Sequence, residues 1–204
     1  MGSAEDNRID ESFRCIMNSK QQLRRSLLKN RQSLSIQEWQ KKSHYLGLQL
    51  QKSTVFNQSQ TILAYFSFRK EPDLSLLFKQ NLNKVWGFSR CVEQDLIWHR
   101  WQQKEPLNKG KFGILEPSMN APQIHPEMVD LILVPAVACD WQGYRLGYGG
   151  GFYDRLLSLP QWSTIPTIGV VFEQAYLPQL PRENWDQPLQ FICTENQFIT
   201  ISFQ

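Results

Sequence analysis

An α/β layered domain built on a parallel sheet is predicted by three observations. Beyond Thr61 the chain breaks into short apolar runs rich in β-branched and aromatic residues, separated by helical or irregular stretches. One run, Leu131-Ile132-Leu133-Val134, is apolar without interruption, as expected of a strand covered by helices on both faces. The 204 residues, 41% hydrophobic and 20% charged, suffice for one domain with a single sizeable core. Elements alternating in this way stack as layers.

The elements follow in chain order. Residues 1–17 are polar and aperiodic and read as a disordered tail, leaving 18–204 as a single α/β domain. Leu23, Leu27 and Leu34 share a helical face from about Asn18 onward. Ser35-Ile36-Gln37-Glu38 has the form of a capping box, in which the serine hydroxyl and the glutamate each satisfy an orphan amide. A second helix then runs to about Lys52 with Ile36, Trp39, Leu46 and Leu50 turned inward. Strands are expected at Thr61–Phe66, Val85–Phe88, Leu96–Trp101, Val129–Val134, Thr167–Phe172 and Phe191–Cys193, and helices at Leu74–Leu82 and Phe152–Leu159. Lys104 to Pro126, which carries Pro106, Pro117, Pro122, Gly110 and Gly113, reads as a long loop.

Composition excludes several classes. Cys15, Cys91, Cys139 and Cys193 stand far apart, with no C-x-x-C pair and no cluster with His44, His99 or His125, so a structural zinc site is not predicted. The first twenty residues mix acidic and basic side chains and lack the apolar core of a signal peptide. The longest apolar run, Leu131 to Cys139, is too short to cross a bilayer. A cytoplasmic location with no membrane partner is the expectation. The net charge of +3 is unevenly placed: six basic and no acidic residues lie between Ser12 and Gln37. An anionic ligand near this segment would fit that bias.

The strongest motif is Gly143-Tyr144-Arg145-Leu146-Gly147-Tyr148-Gly149-Gly150-Gly151-Phe152-Tyr153-Asp154, in which five of the eleven glycines fall within nine residues. It follows a buried strand and precedes a helical pattern. Glycine lets backbone amides approach a ligand, and a helix start offers free N–H groups, which together make a phosphate cradle. Arg145 adds a planar fork of donors suited to phosphate oxygens. The spacing matches neither G-x-x-x-x-G-K-[ST] nor G-x-G-x-x-G, since Phe152 stands at the third glycine of the latter. Asp154 is either a first-turn helix charge or a magnesium ligand beside the phosphates.

Lys20, Arg24 and Arg31 recur at helical offsets of four and seven, in a narrow sector beside the leucine stripe. Periodicity alone makes them a solvated basic face with snorkelling stems. Glu71 precedes Pro72 just beyond the Thr61–Phe66 strand, and taken singly it is a surface loop carboxylate. Yet Glu71, the glycine loop and Phe172-Glu173 all follow strand carboxyl ends, where ligands bind in open α/β sheets. Phe112 is a candidate stacking platform for a flat ligand.

Val134-Pro135-Ala136-Val137-Ala138-Cys139-Asp140, followed by Gly143 and by Arg145 to Asp154, resembles the signature of the 5-formyltetrahydrofolate cyclo-ligases, or 5,10-methenyltetrahydrofolate synthetases. Lys20 with Leu23-Arg24, Tyr65 to Glu71, Phe112 to Pro117, Gly169 to Gln174 and Thr194-Glu195 extend the likeness over most of the chain. The resemblance implies a three-layer α/β/α domain with a mostly parallel sheet, similar to the sugar-phosphate isomerases and coenzyme A transferases. It implies ATP as co-substrate and Mg2+ as cofactor, small-molecule substrates only, no nucleic acid, and a monomer. By that likeness Lys20, Arg24, Arg145, Leu146, Gly147, Tyr148, Gly149, Gly150, Gly151, Phe152 and Tyr153 hold ATP. Phe66, Glu71 and Phe112, with Tyr148 to Phe152, line the folate site. Arg145 and Tyr153 are the catalytic candidates, and Asp154 and Asp186 the magnesium ligands. Three positions depart from the usual family pattern: Phe152 replaces a frequent tyrosine, Tyr148 a frequent basic residue, and Trp185 a frequent histidine. Two rival readings stay open, a sugar-phosphate isomerase on the same scaffold and an RNA-binding module using the basic helix.

Overall fold

The computed structural model describes residues 19–202, so the expected N-terminal tail lies outside the described residues. Helix α1 covers 19–33. Helix α2, Ile36–Lys52, starts with the expected capping box: Ser35 Oγ accepts the Glu38 N–H, and the Glu38 carboxylate accepts the Ser35 N–H. Leu46 and Leu50 are fully buried, but Ile36 is 65% exposed, contrary to expectation. It occupies the first helical position, before the chain has turned its stripe toward the sheet. A short α3, Thr54–Gln58, follows.

The central sheet has seven strands. They are β1 (Thr61–Ala64), β2 (Val85–Val92), β3 (Asp95–Arg100), β6 (Leu131–Pro135), β9 (Thr167–Val170), β11 (Phe191–Cys193) and β12 (Phe198–Thr200), in the order β12-β11-β9-β6-β1-β2-β3. The inner pairings β2/β1, β1/β6, β6/β9 and β9/β11 are parallel, and the two edges, β3 and β12, are antiparallel. Alternation along β6 sorts its side chains: Leu131 and Leu133 face one core, Ile132 and Val134 the other, all fully buried. The first core is closed by α2, α3 and α4 (Ser75–Gln80) through Leu46, Leu50, Phe56, Leu77 and Phe78. The second is closed by α5 (Phe152–Ser158) and α6 (Pro160–Ser163) through Leu156, Leu157 and Trp162, with Leu23, Leu27 and Leu28 of α1 packed against it. Helices on both faces of a mostly parallel sheet are the three-layer arrangement expected.

Several boundaries differ from the sequence reading. β1 and β9 end two residues earlier, β2 runs four residues further, and α4 is shorter at both ends. The 104–126 segment is not structureless: β4 (Asn108–Lys109) and β5 (Leu115–Glu116) pair across a turn. That hairpin is pinned to β2, because buried Glu116 accepts the Cys91 N–H at 3.1 Å and pairs with Arg90 at 3.6 Å. A small second sheet, β7 (Ala138–Asp140), β8 (Arg145–Leu146) and β10 (Tyr176–Leu177), also went unread. At two or three residues each they are too short to carry a periodicity; the equally short β11 was legible because Phe191, Ile192 and Cys193 form an apolar run.

β1 lies between β2 and β6, so the chain leaves it toward one side and returns on the other. The crevice outside the carboxyl ends of β1 and β6 is therefore a topological switch point, where open α/β sheets bind ligands.

Candidate active site

The glycine loop begins where β8 ends, and a buried acid aims it. Asp140 accepts the Gln142 and Tyr144 N–H groups on Oδ1 and the Leu180 N–H on Oδ2, folding the β7–β8 turn. Gly143 sits in this turn with φ 87°, and a Cβ there would lie 2.5 Å from the Leu189 carbonyl oxygen. Asp140 was not among the sequence candidates, although an Asp three residues before a glycine in a turn is a readable signal. Leu146 is buried in the second core, so only its backbone is available to the site. Gly147 to Gly150 open outward, and Gly149 and Gly151 adopt φ of 100° and 66°, which L side chains rarely do.

Helix α1 docks on this loop. Arg24 Nε donates to the Gly147 carbonyl at 2.7 Å, and its guanidinium lies against Gly149. Lys20 Nζ donates to Asp186 Oδ2 at 2.7 Å. Arg31, only 5% exposed, donates to the Arg69 and Ala136 carbonyls and to the Tyr148 hydroxyl. The solvated-face reading of these three residues is thereby overturned, since the helix turns them into the protein. An RNA-binding face built on them loses its free charges. Arg31 was read with Lys20 and Arg24 as one basic face, but the family resemblance implied a binding role for the other two alone.

Glu71 is likewise not a surface carboxylate. It is 3% exposed, takes the Tyr148 hydroxyl on Oε1 at 3.0 Å and the Phe68 N–H on Oε2 at 3.1 Å, and lies 4.0 Å from Arg31. Burial pushes its carboxyl from 4.5 up to about 7, against the opposing pull of Arg31, Tyr148 and the Phe68 amide. An acid whose folded pKa lies above its unfolded one gains protons on folding. Its contribution to stability is complete below about 4.5 and is lost as the pH rises through about 7. Thermal denaturation is therefore expected to give a flatter dependence of Tm on pH between about pH 5 and pH 8 for Glu71→Gln than for the parent. Equal slopes would contradict this assignment.

Arg145 is held from two sides: Nη1 donates to the Gln187 carbonyl at 2.5 Å and Nη2 to Asp154 Oδ1 at 2.6 Å. Its guanidinium stands 6.0 Å from the Tyr153 ring centroid. Burial, with the Glu71 charge second, raises the Tyr153 phenol far above its ordinary value, so its hydroxyl stays a donor. Phe112, on the β4–β5 turn, meets Phe152 edge to face at 5.9 Å and is half-exposed. Phe66 is placed differently. Its ring stacks on Phe88 at 4.0 Å and meets Phe78 and Trp101 edge-on, in the cluster under α2–α4. Phe112 and Phe152 thus share one wall, and Phe66 belongs to another.

The two expected magnesium ligands each face a cation, Asp154 facing Arg145 and Asp186 facing Lys20. Among the described residues no three His, Cys, Asp or Glu side chains cluster as a metal cage. Among the same residues no helix is long and apolar enough to span a membrane.

This arrangement joins the glycine loop, the basic side chains of α1 and the buried Glu71 carboxylate through direct hydrogen bonds. The sequence profile of the 5-formyltetrahydrofolate cyclo-ligase family matches residues 16–195. A 5-formyltetrahydrofolate cyclo-ligase of Haemophilus influenzae is 31% identical over 185 residues, spanning 83% of this chain and 94% of the relative. One of Mycolicibacterium smegmatis is 31% identical over 192 residues, or 89% and 96% of the two chains. Among solved structures, the 5,10-methenyltetrahydrofolate synthetase of Aquifex aeolicus superimposes with a TM-score of 0.80 at 32% identity, over 91% of this chain and 94% of that one. That of Mycoplasma pneumoniae gives 0.69 at 22% identity, over 86% and 98%, and supports the fold. By profile, relatives and architecture together, the chain belongs to the 5-formyltetrahydrofolate cyclo-ligase family.

Proposed function

We propose that the chain closes 5-formyltetrahydrofolate to 5,10-methenyltetrahydrofolate at the expense of ATP, as a ligase forming a carbon–nitrogen bond, and that it acts as a cytoplasmic monomer. One observation carries the placement of the two substrates. The glycine loop is bonded on one side to the basic helix, through Arg24 and Gly147, and on the other to Glu71, through Tyr148. A triphosphate along the loop therefore ends beside whatever Glu71 holds.

The chemistry follows from the poor leaving ability of an amide oxygen. The formyl oxygen attacks the γ-phosphorus of ATP, and the bond to the ADP oxygen breaks. The N10 amine then attacks the activated formyl carbon. Loss of phosphate and of the N10 proton leaves the methenyl bridge, so the products are ADP, phosphate and the cyclised folate. Phosphoryl transfer asks mainly for positioning and charge neutralisation. Lys20, Arg24 and Arg145 would supply charge, and the amides of Gly147 to Tyr153 would supply fixed donors. Glu71 would accept the paired N–H donors of the pterin edge, with Phe66, Phe112 and Phe152 as apolar walls. The Tyr153 hydroxyl, protonated at working pH, is a candidate donor to the reacting oxygen.

Magnesium fits this donor set as a metal shared with the nucleotide. It commonly takes one or two carboxylates together with phosphate oxygens and waters, not an all-protein cage. Asp154 and Asp186 would hold it, and each receives its two protein bonds on a single oxygen, Oδ1 of Asp154 and Oδ2 of Asp186. When bound, the ion supplies neutralisation of phosphate charge.

The test is direct. Protein, magnesium-ATP and 5-formyltetrahydrofolate are mixed, and the ultraviolet absorption band of the methenyl product is followed. The band is expected only when nucleotide is present. Its absence with all components, or its appearance without ATP, would refute the proposal.

A further inference from the structure

Arg31 binds three separate segments at once. Nε donates to the Arg69 carbonyl at 3.1 Å, in the turn after β1. Nη1 donates to the Ala136 carbonyl at 3.1 Å, just past β6, and Nη2 to the Tyr148 hydroxyl in the glycine loop. The guanidinium thus spans the crevice between the carboxyl ends of β1 and β6. A planar fork of fixed donors suits three acceptors that come from separate segments.

The turn it holds is a demanding one. Arg69 and Lys70 both take positive φ, 48° and 55°, a region that residues with a Cβ seldom occupy. Such a conformation persists where surrounding contacts over-determine it. Those contacts come from the end of α1: Arg31 on the Arg69 carbonyl, and Lys70 Nζ on the Gln32 and Leu34 carbonyls. The turn closes with the Glu71 N–H on the Phe68 carbonyl at 3.0 Å and presents the Glu71 carboxylate to Tyr148. A line of bonds therefore runs from Arg31 through Tyr148 to Glu71.

We propose that Arg31 is a positioning residue for the cyclisation: through Tyr148 and the Arg69–Lys70 turn it fixes the Glu71 carboxylate at the folate end of the site. The inference rests on the function proposed above and names a residue that acts through others. The groups facing Glu71 are few. Arg31 comes from α1, Tyr148 from the glycine loop, Tyr153 from α5 and Tyr65 from just past β1, where Asp73 also acts on the Tyr65 phenol; α2 contributes the Trp39 indole N–H on the Glu71 carbonyl. Arg31 is the only cation named among these groups, so it opposes the burial that pushes the Glu71 carboxyl up to about 7. Its loss would push that carboxyl higher.

The experiment compares the parent, Arg31→Met, Arg31→Lys and Tyr148→Phe in the methenyl assay across pH. For Arg31→Met the KM for 5-formyltetrahydrofolate is expected to rise about tenfold or more, with the KM for ATP changed by less than about threefold. The acid limb of kcat/KM for folate moves to higher pH by about one unit. Arg31→Lys restores the limb through its charge while leaving a raised folate KM. Tyr148→Phe, which cuts the line of bonds without touching the turn, moves the limb in the same direction. An unmoved limb in Arg31→Met, or an equal rise in both KM values, overturns the inference. Should Arg31→Met fail to fold, an unmoved limb in Tyr148→Phe overturns it alone. If the parent itself forms no methenyl product, the functional proposal has failed; if the parent turns over and the variants keep its limb, only the role of Arg31 has failed.

Discussion

Replacing Arg145 with alanine is expected to lower kcat by about two to three orders of magnitude, with the KM for 5-formyltetrahydrofolate shifting by less than about threefold. A charge matters most to the rate when the charge it opposes grows on the way to the transition state. Arg145 is preorganised for such a role. Its side chain is 4% exposed and fixed by the Gln187 carbonyl and Asp154, so little rearrangement is needed as the phosphoryl group moves. Folate contacts, by contrast, are assigned to Glu71, Phe66, Phe112 and Phe152. Arg145→Lys is expected to fall between parent and alanine variant, because an ammonium keeps the charge and loses the fork. Steady-state kinetics in both substrates, with a thermal melt as a control for folding, decide the matter. Unchanged turnover with a raised folate KM would count against the assignment.

The second large effect is expected at Gly147. A Cβ built there meets nothing within 4 Å, and the residue does not need a positive φ. Gly147→Ala should therefore leave stability within about 0.5 kcal/mol of the parent. If the proposed cradle holds a triphosphate through close backbone approach, the added methyl displaces it, and the KM for ATP rises about tenfold or more, equivalent to roughly 1.4 kcal/mol. Gly149→Ala is the instructive contrast. Its φ of 100° makes it costly for the fold as well, by about 1–3 kcal/mol, although the Arg24 guanidinium, 3.7 to 3.9 Å from the new Cβ, is no closer than ordinary contact. Denaturant titration and ATP kinetics separate the two. Gly147→Ala with parental ATP kinetics would remove the main support for the cradle.

The site was partly legible because its loop is a contiguous motif. Five glycines between 143 and 151, following an apolar strand, signal backbone exposure whatever the rest of the chain does. Glu71 and the basic helix were harder. Single residues with solvent-compatible chemistry read as surface, and both readings reversed when α1 was seen to dock against the loop and the turn after β1. The packing of Phe66 was not legible either: its ring stacks on Phe88 and meets Phe78 and Trp101 edge-on, contacts that only the folded chain brings together.

Features that depend on near neighbours were determined by the sequence alone: the Ser35–Glu38 capping box, the burial of β6 on both faces, the layered α/β class and the order of motifs that carries the family likeness. Their physics is local, a matter of periodicity, capping and backbone freedom over a few residues. The tertiary structure alone decided which charges meet. Lys20 and Asp186 are 166 residues apart, Arg31 and Ala136 105, and Glu71 and Tyr148 77. Whether an arginine is a solvated side chain or a buried clamp depends on the dielectric and the acceptors around it, and those are set by segments that come together only when the sheet is assembled.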